Sequence, residues 1–209
     1  GFVLVQLLVV LVFVGLAGYW QMTKYNSDDI NSDWQTYRNE EYGFEVKYPK
    51  NFSLNNRFHS PNLDVSISKL SSFPTSEDEI PQEIKDTGLY DHRYKKDILR
   101  QKEDIELGKS VFGGKIILLD GRNAEYYYRY EVSGGYYEIN VIYFFGNTDF
   151  VTISTILLNE PHLYGATQDN IDINHKRLGD LYLNKFKSPK TVQEITNFDQ
   201  ILSTFKFIK

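Results

Sequence analysis

From residue 34 onward, apolar and polar positions alternate with a period of two, the mark of half-buried strands. Tyr42, Phe44, Val46 and Tyr48 fall on one face with Glu45 and Lys47 on the other, and Pro49 ends the run by removing a ladder donor. Leu63, Val65 and Ile67 alternate with Asp64, Ser66 and Ser68. A strand-rich block comes next at Lys115–Leu119, Ala124–Val132, Tyr136–Phe145 and Phe150–Leu158, broken by Asp120-Gly121, Gly134-Gly135 and Gly146-Asn147. Such short glycine-bearing breaks close hairpins, so the four runs predict an antiparallel meander. Helical spacing predicts a charged surface helix over residues 92–106 with a thin apolar stripe at Ile98, Leu99 and Ile105, and a shorter helix near Pro81. A third spans residues 174–186 with Leu178, Leu181 and Tyr182 inward. The last begins just after Pro189, where Thr191 and Glu194 read as a capping box. Its core face is Val192, Ile195, Phe198, Ile201, Leu202 and Phe205. The expected fold class is α+β: an antiparallel β-sheet covered by helices, in one domain over residues 34–209.

The first twenty residues obey a different pattern. Phe2 to Trp20 carries no charge, and Gln6 is its only strongly polar side chain. As a helix the run would span about 28 Å, close to the apolar thickness of a bilayer. Tyr19 and Trp20 stand where interfacial aromatics belong, and the first charge is Lys24. Residues 1–20 therefore read as a single transmembrane signal anchor, with a lipid bilayer as the partner of residues 2–20. A cleaved signal peptide, with Gly15 and Ala17 before the cut, and a buried core helix remain as alternatives. The chain starts at Gly1 without Met, so residues upstream of it are expected. Residues 21–33 form a polar linker, and Asp28, Asp29 and Asp33 within it do not favour a cytoplasmic location for the C-terminal side of the helix. The expected location is the cytoplasmic membrane, single-pass, with the soluble domain on the extracytoplasmic side.

Composition narrows the chemistry. The 209 residues carry a net charge of −5, without the basic footprint that displaces counterions from phosphates, so nucleic acid is not an expected partner. There is no cysteine, which removes disulfides, thiolate metal sites, cysteine nucleophiles and a lipidated cysteine after Leu16-Ala17-Gly18. His59, His92, His162 and His175 are far apart and form no helical metal pair. Asp29, Asn31, Asp33 and Glu40 fit positions 1, 3, 5 and 12 of a calcium loop, but Trp34 stands where the sharp turn needs glycine, so they read as an acidic linker. Gly113-Gly114 and Gly134-Gly135 are turns rather than phosphate cradles, and no serine sits in a nucleophile elbow. No catalytic, metal or cofactor site is assigned, and the chain is not expected to be an enzyme. The candidate that remains is aromatic: Tyr126, Tyr128 and Tyr130 share a strand face opposite Glu125, Tyr127, Arg129 and Glu131, with Tyr136 and Tyr137 close in sequence. Aromatics with a polar tip suit either a helix-covered core or a groove for sugars or peptides. Lys185, Lys187 and Lys190, with His175-Lys176-Arg177, make a locally basic stretch that reads as a solvated face or a contact for an anionic envelope surface.

Two stretches resemble known families. Gly1-Phe2-Val3-Leu4-Val5-Gln6-Leu7-Leu8-Val9-Val10 resembles the processing site of type IV pilins and type II secretion pseudopilins. That resemblance implies cleavage after Gly1 and methylation of Phe2. Gln6 departs from it, because the family places a glutamate there to neutralise a neighbouring terminus, and the polar linker interrupts the long helix that pilins continue. Trp34-Gln35-Thr36-Tyr37-Arg38-Asn39-Glu40-Glu41-Tyr42-Gly43-Phe44-Glu45-Val46-Lys47-Tyr48-Pro49-Lys50-Asn51-Phe52 resembles the opening hairpin of PsbP-like domains, the photosystem II extrinsic-subunit superfamily also found in small bacterial exported proteins. Phe198-Asp199-Gln200-Ile201-Leu202-Ser203-Thr204-Phe205-Lys206-Phe207 resembles their closing helix. The second resemblance implies an α/β/α sandwich without an active site, serving as an accessory or binding module; the expected partner is an unknown protein or cell-envelope polymer. The first implies, as the alternative, a pilin- or pseudopilin-like subunit of a surface filament or secretion system.

Overall fold

The computed structural model describes residues 33–55, 61–86, 94–131, 135–160, 163, 167–183, 185 and 188–208. The apolar run with Gly1, Phe2 and Gln6, the linker up to residue 32, and His59, His92 and His162 lie outside them. Among the described residues no helix is long and apolar enough to cross a membrane.

Alternation sets the strands: β1 (Trp34–Asn39), β2 (Phe44–Pro49), β3 (Ser53–Leu54), β4 (Asn62–Lys69), β5 (Lys115–Leu119), β6 (Arg122–Glu131), β7 (Tyr136–Phe145), β8 (Asp149–Leu157) and β9 (Lys206–Phe207). The helices are α1 (Gln82–Asp86), α2 (Lys95–Glu106), α3 (Gln168–Tyr182) and α4 (Pro189–Ser203). The fold is α+β. The expected meander is present as β5 to β8, but it does not make the whole sheet. β4 pairs antiparallel with β8, and β3 adds in parallel beyond it, giving the order β3-β4-β8-β7-β6-β5. The opening hairpin forms a separate sheet in the order β1-β2-β9. It leaves the meander because its apolar row is used elsewhere: Phe44 stacks on Phe205 past the end of α4 and on Phe145 at the end of β7.

The period-two pattern gives the large sheet two unlike faces. On one, Leu63 and Val65, Val151 and Ile153, Ile139 and Val141, and Ala124 and Tyr126 meet Leu181 of α3 and Phe198, Ile201 and Leu202 of α4. On the other, Ile142, Phe144 and Phe150 meet Ile98 and Ile105 of α2. The stripe foreseen in α2 is thus buried against the sheet, with Leu99 half-covered beside it.

Two helix starts differ from the sequence pattern. α3 begins at Gln168, where Thr167 caps it by accepting from Asn170 N at 3.4 Å, and it ends at Tyr182. The early turn is polar, so periodicity alone passes over it. α4 begins at Pro189, and Ser188 Oγ accepts from Thr191 N at 3.4 Å. The expected Thr191–Glu194 capping box does not form: Thr191 is buried, and Glu194 turns away to Asn159.

Tyr182, the last residue of α3, ties that helix to the sheet. Its hydroxyl accepts from Tyr128 N at 3.0 Å and donates to Tyr128 O at 2.8 Å, serving the part of β6 that runs past the start of β5. Tyr182→Phe leaves that donor and acceptor without a partner and is expected to cost about 1–2 kcal/mol in denaturant unfolding. A change below about 0.3 kcal/mol would mean that water replaces the hydroxyl at no cost.

Candidate functional site

The tyrosines singled out in the sequence do not form one surface. Tyr126, Tyr128, Tyr130 and Tyr137 lie on the face covered by α3 and α4, whereas Tyr136 lies on the opposite face. Tyr126 and Tyr137 are buried and Tyr128 and Tyr130 half-buried, and burial raises the pKa of Tyr126, Tyr128 and Tyr137 above the ordinary tyrosine value. The Tyr137 and Tyr130 hydroxyls serve the fold, whereas the buried Tyr126 hydroxyl has no hydrogen-bond partner among the described residues. Tyr137 OH donates to Asn174 O at 3.1 Å, and Asn174 Nδ2 donates to Tyr130 OH at 2.7 Å. The rings contribute area, and the Tyr130 and Tyr137 tips fix the position of α3 over the sheet.

The opposite face divides in two. Half of it is the apolar floor under α2. The other half is polar, and the register of β4, β8, β7 and β6 lines its side chains up across the strands. Asp64 pairs with Ser154, Ser154 with Asn140, and Asn140 with Tyr127, while Glu138 pairs with Arg129 one step along. Asn62 lies at the start of β4 on the same face. Asn62, Asp64, Glu138, Asn140 and Ser154 are all buried. Buried polar groups are nearly always hydrogen-bonded, and one left without a partner costs about 1–3 kcal/mol. Asn62 Oδ1 accepts from Ile156 N at 3.2 Å, but Asn62 Nδ2 and Asn140 Nδ2 have no hydrogen-bond partner among the described residues. Arg129 Nε lies 3.9 Å from Glu138 Oε2 and also pairs with Glu131.

This half-face therefore combines two amide donors, a hydroxyl and two carboxyl groups on a rigid four-strand platform. Each of the five is less than a tenth exposed, so the set is not an open surface; uncovered, it would suit a ligand presenting both acceptors and donors, such as the hydroxyls of a sugar or the amides of a peptide. Among the described residues no group of three or more His, Cys, Asp or Glu is placed to hold a metal ion. The sequence shows the polar positions of β4 but not their burial, because alternation alone reads a polar row as solvent-facing. The signal that could have found the site is Glu138 and Asn140 inside the otherwise apolar run of β7.

Some of the remaining candidates have structural roles. Asp33 pairs with Lys50 at 3.3 Å, and Glu40 with Arg38. Of the basic stretch, Arg177 turns inward and pairs with the buried Glu160, whereas His175, Lys176, Lys185 and Lys190 are exposed; Lys187 lies outside the described residues. Glu194 anchors the loop after β8 by accepting from Asn159 Nδ2 at 2.6 Å. Burial raises the Glu194 carboxyl above its ordinary value of 4.5, against the lowering effect of the Asn159 and Leu158 donors. A carboxyl raised in the folded state binds its proton more tightly there, so its stabilisation is complete below pH 4.5 and is lost as pH rises through the raised value. Glu194→Gln keeps an acceptor for Asn159 but cannot titrate. Its unfolding midpoint is expected to be flatter than the parent's across that window, and identical slopes would remove Glu194 as the cause.

Compared with known proteins, the chain matches no family profile, no curated protein and no solved structure.

Proposed function

We propose that the chain is a membrane-tethered, extracytoplasmic accessory or binding module without a catalytic site. Residues 2–20 are its anchor, residues 21–33 its tether, and residues 34–209 a domain of PsbP-like type, an α/β/α sandwich. The observation that carries the reading is the buried polar half of the large sheet, with the Asn62 and Asn140 amides lacking partners among the described residues. Stability alone favours apolar residues there, and polar groups retained at a cost in stability are characteristic of sites that bind. The apolar run and the acidic linker support the membrane side of the reading, and the hairpin and closing-helix resemblances support the module.

Two measurements test it. A topology reporter fused after Lys209 is expected outside the cytoplasm, and a cytoplasmic reporter would end the proposal. Asn140→Leu replaces an unpartnered amide with an apolar side chain of similar size. It is expected to leave stability unchanged or raise it by about 1 kcal/mol, whereas a loss above about 2 kcal/mol would make Asn140 a structural residue. The alternative is a pilin- or pseudopilin-like subunit, favoured by Gly1-Phe2 and the apolar run behind them. A mature protein beginning at methylated Phe2, read by intact mass, would carry that alternative; an unprocessed terminus would remove it.

A further inference from the structure

β5 ends the large sheet, bonded to β6 on one side and to no described strand on the other. Its hydrogen-bonding phase is set by the turn beside it. Asp120 and Gly121 both have positive φ, 47° and 80°, the type I′ geometry in which the flanking Leu119 and Arg122 exchange backbone bonds. Alternation then turns Ile117 and Lys115 toward β6. The N–H and C=O groups of Ile116 and Leu118 point out of the sheet, and no hydrogen bond from another described element reaches them.

The edge is apolar as well as open. Leu118 is 70% exposed. Its cross-strand partner Asn123 donates to the Ile105 and Glu106 carbonyls at the end of α2, which brings Leu107, 63% exposed, to the same corner. Folded proteins commonly guard such an edge with a lysine in the path of an incoming strand. β5 has a single lysine, Lys115, and its ammonium is drawn back over the Tyr126 ring, 4.3 Å from the centroid. On the helix side the edge borders a cleft of about 240 Å³ between β5 and α4, lined by Ile117, Leu119 and Leu202.

We propose that β5 pairs antiparallel with β5 of a second copy of this chain, about a two-fold axis at Ile117. Self-complementarity identifies the occupant. With the axis at Ile117, Ile116 stands opposite Leu118 of the second copy, so the outward backbone groups of both strands bond to each other. On the α2 side each exposed Leu118 gains an isoleucine neighbour next to Leu107, and at the mouth of the cleft Ile117 meets its own counterpart. The strand has a cation at its start, Lys115, and an anion just past its end, Asp120. With the axis at Ile117, Lys115 stands opposite Leu119 of the second copy, so the pairing sets no like charges opposite each other. The contact is isologous, so it closes as a dimer and does not propagate. It is independent of the ligand site on the polar half-face.

Because the chain has no cysteine, one introduced thiol reports on one position. In membranes containing the full chain, Ile117→Cys is expected to give a disulfide-linked dimer under mild oxidation. Axis residues in a non-hydrogen-bonded antiparallel pair sit about 4.5 Å apart at Cα, within disulfide range. Ile173→Cys, at a position 53% exposed on α3, is expected to remain monomeric. Adding Leu118→Lys, which costs folding little at so exposed a site, is expected to lower the Ile117→Cys crosslink roughly tenfold and to shift the mass of the detergent-solubilised chain from two copies to one. A single-copy mass for the parent chain, equal crosslinking at Ile117→Cys and Ile173→Cys, or a crosslink indifferent to Leu118→Lys would each overturn the pairing.

Discussion

Glu125→Ala is expected to lower stability by about 3 kcal/mol, a fall of about 6–12 °C in the midpoint of a chain this size. Glu125 is 0% exposed in the centre of β6, and nothing in its local sequence marks it as different from its neighbours. Its carboxylate accepts from Ser110 Oγ at 2.5 Å, from Val111 N at 3.0 Å and from Phe112 N at 2.7 Å. These donors offset the cost of taking the charge out of water, and in return the carboxylate pins the loop between α2 and β5 to the sheet. Alanine removes the acceptor and leaves donors facing a void. The loop is half-exposed, so water recovers part of the loss, which is why about 3 kcal/mol is expected and not the sum of three buried bonds. Glu125→Gln keeps one acceptor oxygen but turns an NH2 group toward backbone donors, so it should fall between parent and alanine. Denaturant unfolding of the full chain measures both, and amide exchange at Val111 and Phe112 should quicken in step. Two variants within about 0.5 kcal/mol of the parent would show that the loop holds without the carboxylate.

Much of the secondary structure could be read from the chain because its signals are local. The alternation of β5 to β8 and their glycine-bearing turns specify strands and hairpins with neighbouring residues alone. The stripe of α2 is equally local, which is why Ile98 and Ile105 proved to be the buried positions. What could not be read depends on distant partners. The departure of the β1–β2 hairpin from the meander is decided by Phe205 and Phe145, more than a hundred and about a hundred residues away from Phe44. The capping box at Thr191 fails because Glu194 has a tertiary partner in Asn159, and Ser188 supplies the cap one turn earlier. The site shows the same division. The tyrosine row was visible as a row, but whether it faces a helix or solvent is settled by α3, whose first turn is too polar to announce itself. The polar half-face was visible as polar positions on separate strands; only the register makes Asp64, Ser154 and Asn140 neighbours.

Gly114→Ala is expected to be at least as damaging as the loss of Glu125, about 3 kcal/mol or more, for a reason unrelated to backbone flexibility. Gly113 beside it has φ +75° and open space around it, so alanine there carries only left-handed strain of about 1–2 kcal/mol. Gly114 has no such φ. A Cβ at Gly114 would lie 2.0 Å from the Tyr126 carbonyl oxygen and 2.8 Å from Tyr127 Cβ. The first of these is main chain in a strand bonded on both sides, which cannot move aside as a flexible side-chain tip can. The incoming chain must back away instead, and Lys115, the first residue of β5 and the partner of Tyr126, must move with it. The expected order of damage is therefore Gly114→Ala above Gly113→Ala, opposite to the order that backbone preference alone gives. Unfolding midpoints of the two variants decide it, and Gly113→Ala proving the worse would sink the steric account. Gly114 and the Glu125 contacts brace one short loop from adjacent positions, so the double variant should lose less than the sum of the single losses.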